Sequence, residues 1–423
     1  MINRPDYIAA IEPFIDKPLI KILAGIRRCG KSTIFEMLRE ELLRRGIGED
    51  QIICKRYTEM DIPENITAKQ MYDELTAAMA GKGHCYLLLD EIQEITGWEK
   101  AVNSLLESAD ADIYVTGSNS KLMSSEISTY LTGRYVSIPV YTLSFKEYLD
   151  FKADSTLSRR ELLEEYIRFG GFPIIALSEY DEQSAYQIVN GIYHTVVSRD
   201  IVKRHRINKQ DLFDRVVKYI IENMGKTFSA NSISTFLKSE HRKVSVESIY
   251  NYLRWLEQAF IIYPCERYDL QGKSILKTQE KYYLADVSLK YALLGYNRKM
   301  LDGAMENIVY LELKRRGYDV YIGKNDTKEI DFVATRRDER IYVQVCVRIP
   351  EASDREVVFL QGTLHHQRNL PLRRDQQDGQ EPTLMEIRDP YPKYVVTLNE
   401  MDTGIEDGIR IVHLADFLLA EQW

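Results

Sequence analysis

Over roughly the first 150 positions, short unbroken apolar runs alternate with longer stretches of helical period. Leu19–Ala24, Gln51–Arg56, Cys85–Asp90, Asp112–Thr116 and Tyr135–Pro139 read as strands. Thr33–Arg45, Thr67–Met79 and Trp98–Ser108 read as helices between them. Continuous rather than alternating apolar strands are what a sheet buried on both faces requires, so this part predicts an α/β unit: a mostly parallel sheet with helices on each side.

From Ser144 to Arg206 the pattern turns helical, with Phe145–Phe151, Arg159–Phe169 and Asp181–Arg199 interrupted by Gly170-Gly171-Phe172-Pro173. A Gly-Gly pair followed by proline ends one helix and turns the chain, which predicts a helical lid or connector. Phe213–Met224, Ser229–Ser239 and Ser245–Ala259 then read as three short helices, the last opened by Ser245 as N-cap. Strands at Phe260–Pro264 and Tyr282–Ala285 follow, the order of a winged helix-turn-helix. Beyond it come a helix at Glu306–Gly317, strands at Asp319–Ile322, Ile330–Thr335, Ile341–Val347, Tyr394–Leu398 and Ile409–His413, and a closing helix Leu414–Leu419. Leu364–Arg388, rich in Gln, Arg, Asp, His and Pro, reads as a mobile insertion. The expected units are 1–148 (α/β), 149–208 (helical connector), 209–285 (winged helix) and 286–423 (α/β with the insertion).

Composition narrows the setting. The 423 residues are 44% hydrophobic and 28% charged, values of an ordinary globular protein of two to four domains. No apolar run approaches a membrane span, and the N-terminus lacks the basic-then-apolar layout of a signal peptide, so a cytoplasmic protein without membrane contact is expected. Five scattered cysteines without a C-x-x-C pair argue against a disulfide framework and a structural zinc site. A net charge of −8 excludes a globally basic nucleic-acid coat but not a local basic face. The third helix of the winged unit presents Glu247, Asn251, Arg254 and Glu257, a mixed face, with Lys238, His241, Arg242 and Lys243 close in sequence.

The candidate chemistry lies first at Gly25-Ile26-Arg27-Arg28-Cys29-Gly30-Lys31-Ser32-Thr33, between the first strand and the first long helix. Glycines at 25 and 30 let backbone N–H groups face a polyphosphate, the helix adds its positive end, Lys31 reaches the phosphate oxygens and Ser32 ligates Mg²⁺. Gly25, Gly30, Lys31, Ser32 and Thr33 are therefore the expected nucleotide-binding set. Tyr86–Glu91 is a buried strand ending in two acids: Asp90 to hold the Mg²⁺ with Ser32, and Glu91 to orient or deprotonate a water. Ser118 or Asn119, at the end of the next strand, either hydrogen-bonds the γ-phosphate or lytic water or forms an Asx-type turn. Arg134 stands as the candidate for stabilising γ-phosphate charge, in cis or in a neighbouring subunit of a homo-oligomer; a solvated or paired arginine is the plainer reading. Cys29, inside the loop, is expected to have a lowered pKa if its surroundings are electropositive, and otherwise to be an arbitrary loop residue.

In the C-terminal unit, Glu306, Glu329-Ile330-Asp331 and Gln344-Val345-Cys346 fall where restriction-endonuclease-like folds place two metal-binding carboxylates and a lysine. The lysine position is Cys346, whose thiol brings no positive charge, so the fold is expected without the catalysis.

Taken together, Gly25–Thr33, Leu87–Gln93, Thr116-Gly117-Ser118-Asn119, Gly133-Arg134 with Leu143–Tyr148, Gly170–Pro173, and Glu306-Asn307 with Glu329–Phe332 resemble prokaryotic AAA-type ATPases. In that family a P-loop domain bearing Walker A and Walker B motifs is followed by a winged-helix segment and a C-terminal domain of unknown function with an endonuclease-like fold. The resemblance implies ATP and Mg²⁺ as ligands, ATP hydrolysis, and nucleotide state relayed to the winged helix and C-terminal domain. Many relatives look like E-x-K where this chain has Gln344-Val345-Cys346, which sets cleavage aside. Two alternatives stand beside this reading: an ATP-regulated DNA-binding or DNA-processing protein, and an ATP-dependent switch that binds another protein.

Overall fold

The computed structural model describes residues 3–59, 63, 66–123, 131, 133–207, 209–239, 242, 244–272, 274–297, 300–325, 328–348, 384, 387 and 389–423. The expected insertion at 364–388, apart from Leu384 and Ile387, lies outside the described residues, as do Thr132, His241 and Lys243.

The N-terminal unit holds α1 (Pro5–Ile11), β1 (Ile20–Ala24), α2 (Lys31–Arg44), β2 (Ile52–Arg56), α3 (Ala68–Met79), β3 (Cys85–Asp90), α4 (Trp98–Ser108), β4 (Ala111–Gly117) and β5 (Tyr135–Pro139). Its five strands are all parallel, in the order β2-β3-β4-β1-β5. The central strands β1 and β3 are buried at every position, whereas the edge strands β2 and β5 expose part of theirs, as burial on both faces demands. Leu19 lies just outside β1 and Gln51 just outside β2; the other expected strands differ from the observed ones by a residue at most.

The connector contains α5 (Phe145–Phe151), α6 (Arg159–Phe169), α7 (Pro173–Ala176) and α8 (Glu182–Thr195). Ser144, Ser158 and Asp181 cap α5, α6 and α8 by accepting a backbone N–H three residues on. The helix expected over Asp181–Arg199 instead passes into a π-helical stretch at Val196–Lys203. The Gly170–Pro173 turn is held from outside: Gly171 N–H donates to Asp286 Oδ2 at 2.8 Å, and Leu143 N–H to the Gly171 carbonyl at 2.7 Å.

Three helices follow, α9 (Gln210–Glu222), α10 (Ala230–Ser239) and α11 (Val246–Gln258), the last capped by Ser245. Then come the hairpin β6 (Ile262–Asp269) and β7 (Ser274–Leu284), α12 (Ser288–Leu294), α13 (Leu301–Arg315), β8 (Asp319–Asn325), β9 (Lys328–Arg336), β10 (Glu339–Val345), β11 (Lys393–Thr397), β12 (Gly404–Glu406), β13 (Ile409–His413) and α14 (Leu414–Leu419). The strands form one sheet in the order β12-β13-β11-β10-β9-β8-β6-β7. β8, β9 and β10 run antiparallel in sequence, and β11 joins β10 in parallel. β6 pairs with β8 through Arg267↔Ile322 to Asp269↔Lys324, so the sheet runs on across residue 285, where the sequence suggests a boundary. β7 starts at Ser274, eight residues before the expected strand, and that longer reach brings Lys281 onto the C-terminal sheet.

Candidate functional site

All strands of the first sheet run the same way, so β1, β3 and β4 deliver their following residues to one edge, the place where open parallel sheets bind ligands. Gly25 leaves β1 with its Cα against the chain after β5; a methyl group there would lie 2.0 Å from the Val140 carbonyl oxygen. Gly30, at φ +103°, adopts the left-handed backbone needed to start α2, whose N-terminus no side chain caps. The orphan N–H groups of a 14-residue helix thus face the loop, an arrangement that fits a phosphate.

Lys31 is buried, and its Nζ donates to the carbonyls of Gly25 at 2.9 Å and Ile26 at 3.1 Å while lying 3.9 Å from Glu91 Oε1. Ser32 Oγ donates to Asp90 Oδ2 at 2.7 Å. Those two oxygens converge as Mg²⁺ ligands do when an ion keeps most of its water shell. Thr116 Oγ1 donates to the other Asp90 oxygen, and Arg56 Nε to Oδ2 at 3.0 Å. Glu91 sits at φ 55°, its N–H donating to Thr116 Oγ1 at 3.0 Å, and Gln93 Nε2 donates to its carboxylate at 2.5 Å. Burial pushes the Glu91 carboxyl up, but the Lys31 ammonium, the Gln93 amide and Arg27 outweigh it and hold it below the usual range, charged and able to accept a proton from water. Ser118 and Asn119 are buried at the same edge, and Thr33 is exposed on the first turn of α2.

Two expectations need correcting. Ile20 N–H donates to the Arg134 carbonyl and Ile20 pairs with Tyr135, which sets Arg134 at the amino edge of the sheet. The phosphate loop follows Ala24, so a five-residue strand, about 13–16 Å, separates the two. Arg134 pairs there with Glu107 and Asn103 and has no place at the phosphates of its own subunit. Cys29 is fully buried, and burial raises its thiol pKa despite Lys31 and Arg4 nearby, so it is no activated thiol.

Sequence reasoning missed Arg4, Arg27, Arg56, Gln93 and Thr116. Arg4 is 1% exposed and lies beneath the loop, donating to the Cys29 carbonyl at 2.8 Å, to both Glu147 oxygens at 2.7 and 3.1 Å, and to the Tyr141 and Thr142 carbonyls at 3.1 and 3.5 Å. Arg315 on α13 donates to the same Thr142 carbonyl at 3.2 Å. Arg27, within the loop, forks onto Asp200 of the π-helical stretch at 2.7 and 3.0 Å. Gln93 and Thr116 lie in the Leu87–Gln93 and Thr116–Asn119 stretches that carry the resemblance, but the sequence pattern assigns neither a contact to Asp90 or Glu91.

The C-terminal unit gathers a second set of charges. Glu306 and Asp331 are buried, and Lys281 Nζ stands among Glu329 Oε1 at 2.6 Å, Glu306 Oε2 at 3.6 Å and Asp331 Oδ1 at 3.9 Å. Gln344 Nε2 and Val345 N–H both donate to Asp331 Oδ2, at 2.6 and 2.8 Å. Cys346 brings no positive charge, as expected, but the sequence reading did not find the ammonium that β7 supplies to these carboxylates from Lys281. Burial would lower the Lys281 pKa, yet the three carboxylates outweigh it and hold it above the usual lysine range. Burial, with Glu306 next, raises the Asp331 carboxyl to about 7, and burial pushes the Cys346 thiol to about 12.

Fold and loop together define a P-loop domain of AAA type. A family described as AAA domain matches residues 17–149, and a Domain of unknown function (DUF8612) matches 160–299. An uncharacterized protein of Haemophilus influenzae is 35% identical over 422 residues, 99% of each chain, and the uncharacterized protein MJ1544 of Methanocaldococcus jannaschii is 33% identical over 80% of this chain and 77% of its own. The chain belongs to the family of these two proteins, and its own N-terminal part is an ATP-binding AAA domain. Among solved structures, the Walker-type ATPase PABY2304 of Pyrococcus abyssi is similar, with a TM-score of 0.49 and 16% identity over 69% of this chain and 96% of that one. No helix among the described residues is long and apolar enough to cross a membrane.

Proposed function

We propose that the protein is a Mg²⁺-dependent ATP hydrolase whose nucleotide state is relayed to the helices and sheet that follow. The observation that carries this is the 2.7 Å contact of Ser32 with Asp90, beside a charged Glu91 3.9 Å from Lys31, all at the uncapped start of α2. In this reading Gly25, Gly30, Lys31, Ser32 and Thr33 bind the phosphates, Ser32 and Asp90 hold Mg²⁺, Glu91 takes the proton of the attacking water, and Asn119 orients that water or the γ-phosphate. Arg134 can serve only a neighbouring subunit's site in a homo-oligomer. Lys31→Ala should lose ATP affinity, while Glu91→Gln should keep binding and lose about 10²–10⁴-fold in turnover. Unchanged turnover in Glu91→Gln refutes the assignment.

Downstream, α9–α11 with the β6–β7 hairpin have the order of a winged helix, and α13 with β8–β11 that of an endonuclease-like core. The second reading, a switch that binds another protein, is favoured over DNA by two features of this module. Arg242 is already paired with Asp211 at 2.6 Å, and Phe236 and Tyr250 are exposed at 41% and 59%. The C-terminal unit is read as lacking nuclease activity because Cys346 stands at the position where the active arrangement carries its lysine, and the ammonium that reaches the carboxylates, Lys281, comes from β7 and is ion-paired with Glu329 at 2.6 Å.

A further inference from the structure

The π-helical stretch Val196–Lys203 sorts its residues by charge. Val196, Val197, Asp200 and Ile201 are buried, while Ser198, Arg199, Lys203 and the following Arg204 are exposed. Backbone bonds from i to i+5 lengthen the helical repeat to roughly four to five residues, so Arg199 and the Lys203-Arg204 pair return to one outer face. An α-helix, at 3.6 residues per turn, would swing Arg204 about 140° away from Arg199. The chain then turns at Arg206, φ 50°, and Arg206 and Lys209, both exposed, follow before α9 begins. The His205 ring stacks on Trp255 of α11 at 4.2 Å between centroids, which holds this turn in place.

The carboxylates in reach are committed elsewhere. Asp200, the acid within the stretch, lies under the fork of Arg27; Glu94 is shared by Arg27 at 3.3 Å and Arg199 at 3.7 Å; Asp211 is paired with Arg242. Asp214 is half-buried beside His194 and Lys218. Lys203, Arg204, Arg206 and Lys209 form no ion pair among the described residues.

We propose that this face binds the phosphodiester backbone of a nucleic acid. A small anion gains little from exposed cations taken singly, whereas a chain of repeated phosphates engages several at once and releases its condensed counterions. A protein partner fits less well. Protein interfaces have an apolar centre and few lysines, but among the described residues from 196 to 209 no apolar side chain is exposed. The winged module has the opposite character, with Arg242 paired and Phe236 and Tyr250 exposed.

Fluorescence anisotropy on the full chain tests this, with a labelled duplex and a labelled single strand titrated over about 50–200 mM salt. Nucleotide is left out, so the outcome does not hinge on ATP hydrolysis. Contacts from Lys203, Arg204, Arg206 and Lys209 predict log K falling with log salt at a slope of at least about −3.6 for duplex or about −2.8 for a single strand, and the tighter of the two arms identifies the form held. Lys203→Gln with Arg204→Gln should make the slope shallower by about 1.4–1.8 and weaken binding about tenfold or more at the low-salt end. Arg206→Gln with Lys209→Gln, a second pair outside the π-helical stretch, should do the same. Lys146→Gln with Arg159→Gln, exposed on α5 and α6, changes the net charge equally and should leave binding as it is. Absence of binding by both forms, equal binding in Lys203→Gln with Arg204→Gln, or an equal loss in the Lys146 and Arg159 variant overturns the proposal. Polyglutamate that displaces the probe as well as unlabelled oligonucleotide of equal charge would assign the face to an acidic protein, and overturns it too.

Discussion

Replacing Lys281 by methionine keeps the length of the side chain and removes its charge, leaving Glu306, Glu329 and Asp331 to face one another. With carboxylate oxygens at 2.6, 3.6 and 3.9 Å, each attraction is about 4–6 kcal/mol at an effective dielectric of about 20. Desolvation of the ammonium and repulsion among the carboxylates offset much of that sum. Truncating one partner of a buried pair costs about 3–5 kcal/mol in practice. Asp331 softens the loss, because its carboxyl is already raised to about 7 and takes up a proton once Lys281 is gone. About 3 kcal/mol at neutral pH is the expected cost, which is roughly a hundredfold in a local opening equilibrium. Amide hydrogen exchange followed by mass spectrometry reads this locally: peptides from α13, β9 and β10 should exchange about 10²-fold faster, while α2 and β3 keep their protection. The pH dependence has a definite sign. An acid whose folded pKa is raised contributes stability that is fully present below the ordinary aspartate range and lost as pH rises through the folded value, here between about 4 and about 7. Without Lys281 the carboxylates rise further, so the variant's deficit should be larger at pH 8 than at pH 5. Unchanged protection in Lys281→Met at pH 8 would refute the claim that this ammonium holds the cluster together.

The remaining expectations concern nucleic acid. Any DNA affinity should be modest, sequence-independent and confined to low salt, and Arg242→Ala with Lys243→Ala should weaken it and make the salt slope shallower by about 1–2, as loss of one or two phosphate contacts requires. Equal binding by that double variant moves the contact elsewhere. Linear, circular and single-stranded DNA incubated with the protein and Mg²⁺ or Mn²⁺ should all stay intact; reproducible cleavage abolished by Asp331→Ala would overturn the inactive reading and mark Lys281 as the lysine that supplies the missing charge.

What could be read from the chain was local. The strands of the first sheet show because burial on both faces demands unbroken apolar runs, and the start of α11 shows because Ser245 caps it within three residues. The phosphate loop is a contiguous motif for the same reason. Lys281 was hidden because it reaches Glu306 and Asp331 from a strand whose first eight residues carry no apolar run. Arg134 is a different case, since the needed signal was present: in an all-parallel sheet a residue just before a strand lies at the amino edge, away from the ligand edge. Arg4 had no signal, being one arginine near the N-terminus whose partners, Tyr7 apart, stand 25 to 143 positions away.

Those long-range partners bear on how nucleotide could influence the second sheet. The Cys29 carbonyl of the phosphate loop is held by Arg4, Arg4 and Arg315 share the Thr142 carbonyl, and Arg315 lies on the helix that carries Glu306. Thr142 Oγ1 also donates to the Ala285 carbonyl at 3.2 Å, one residue beyond β7 and its Lys281. A shift of the loop must therefore either move α13 and β7 with it or break bonds to the largely buried guanidinium groups of Arg4 and Arg315. Contiguity of this kind is the physical prerequisite for coupling rather than proof of it. It does place the burden on a small set of residues, because the segment around Thr142 is bonded at once to the loop's anchor, to α13 and to the end of β7.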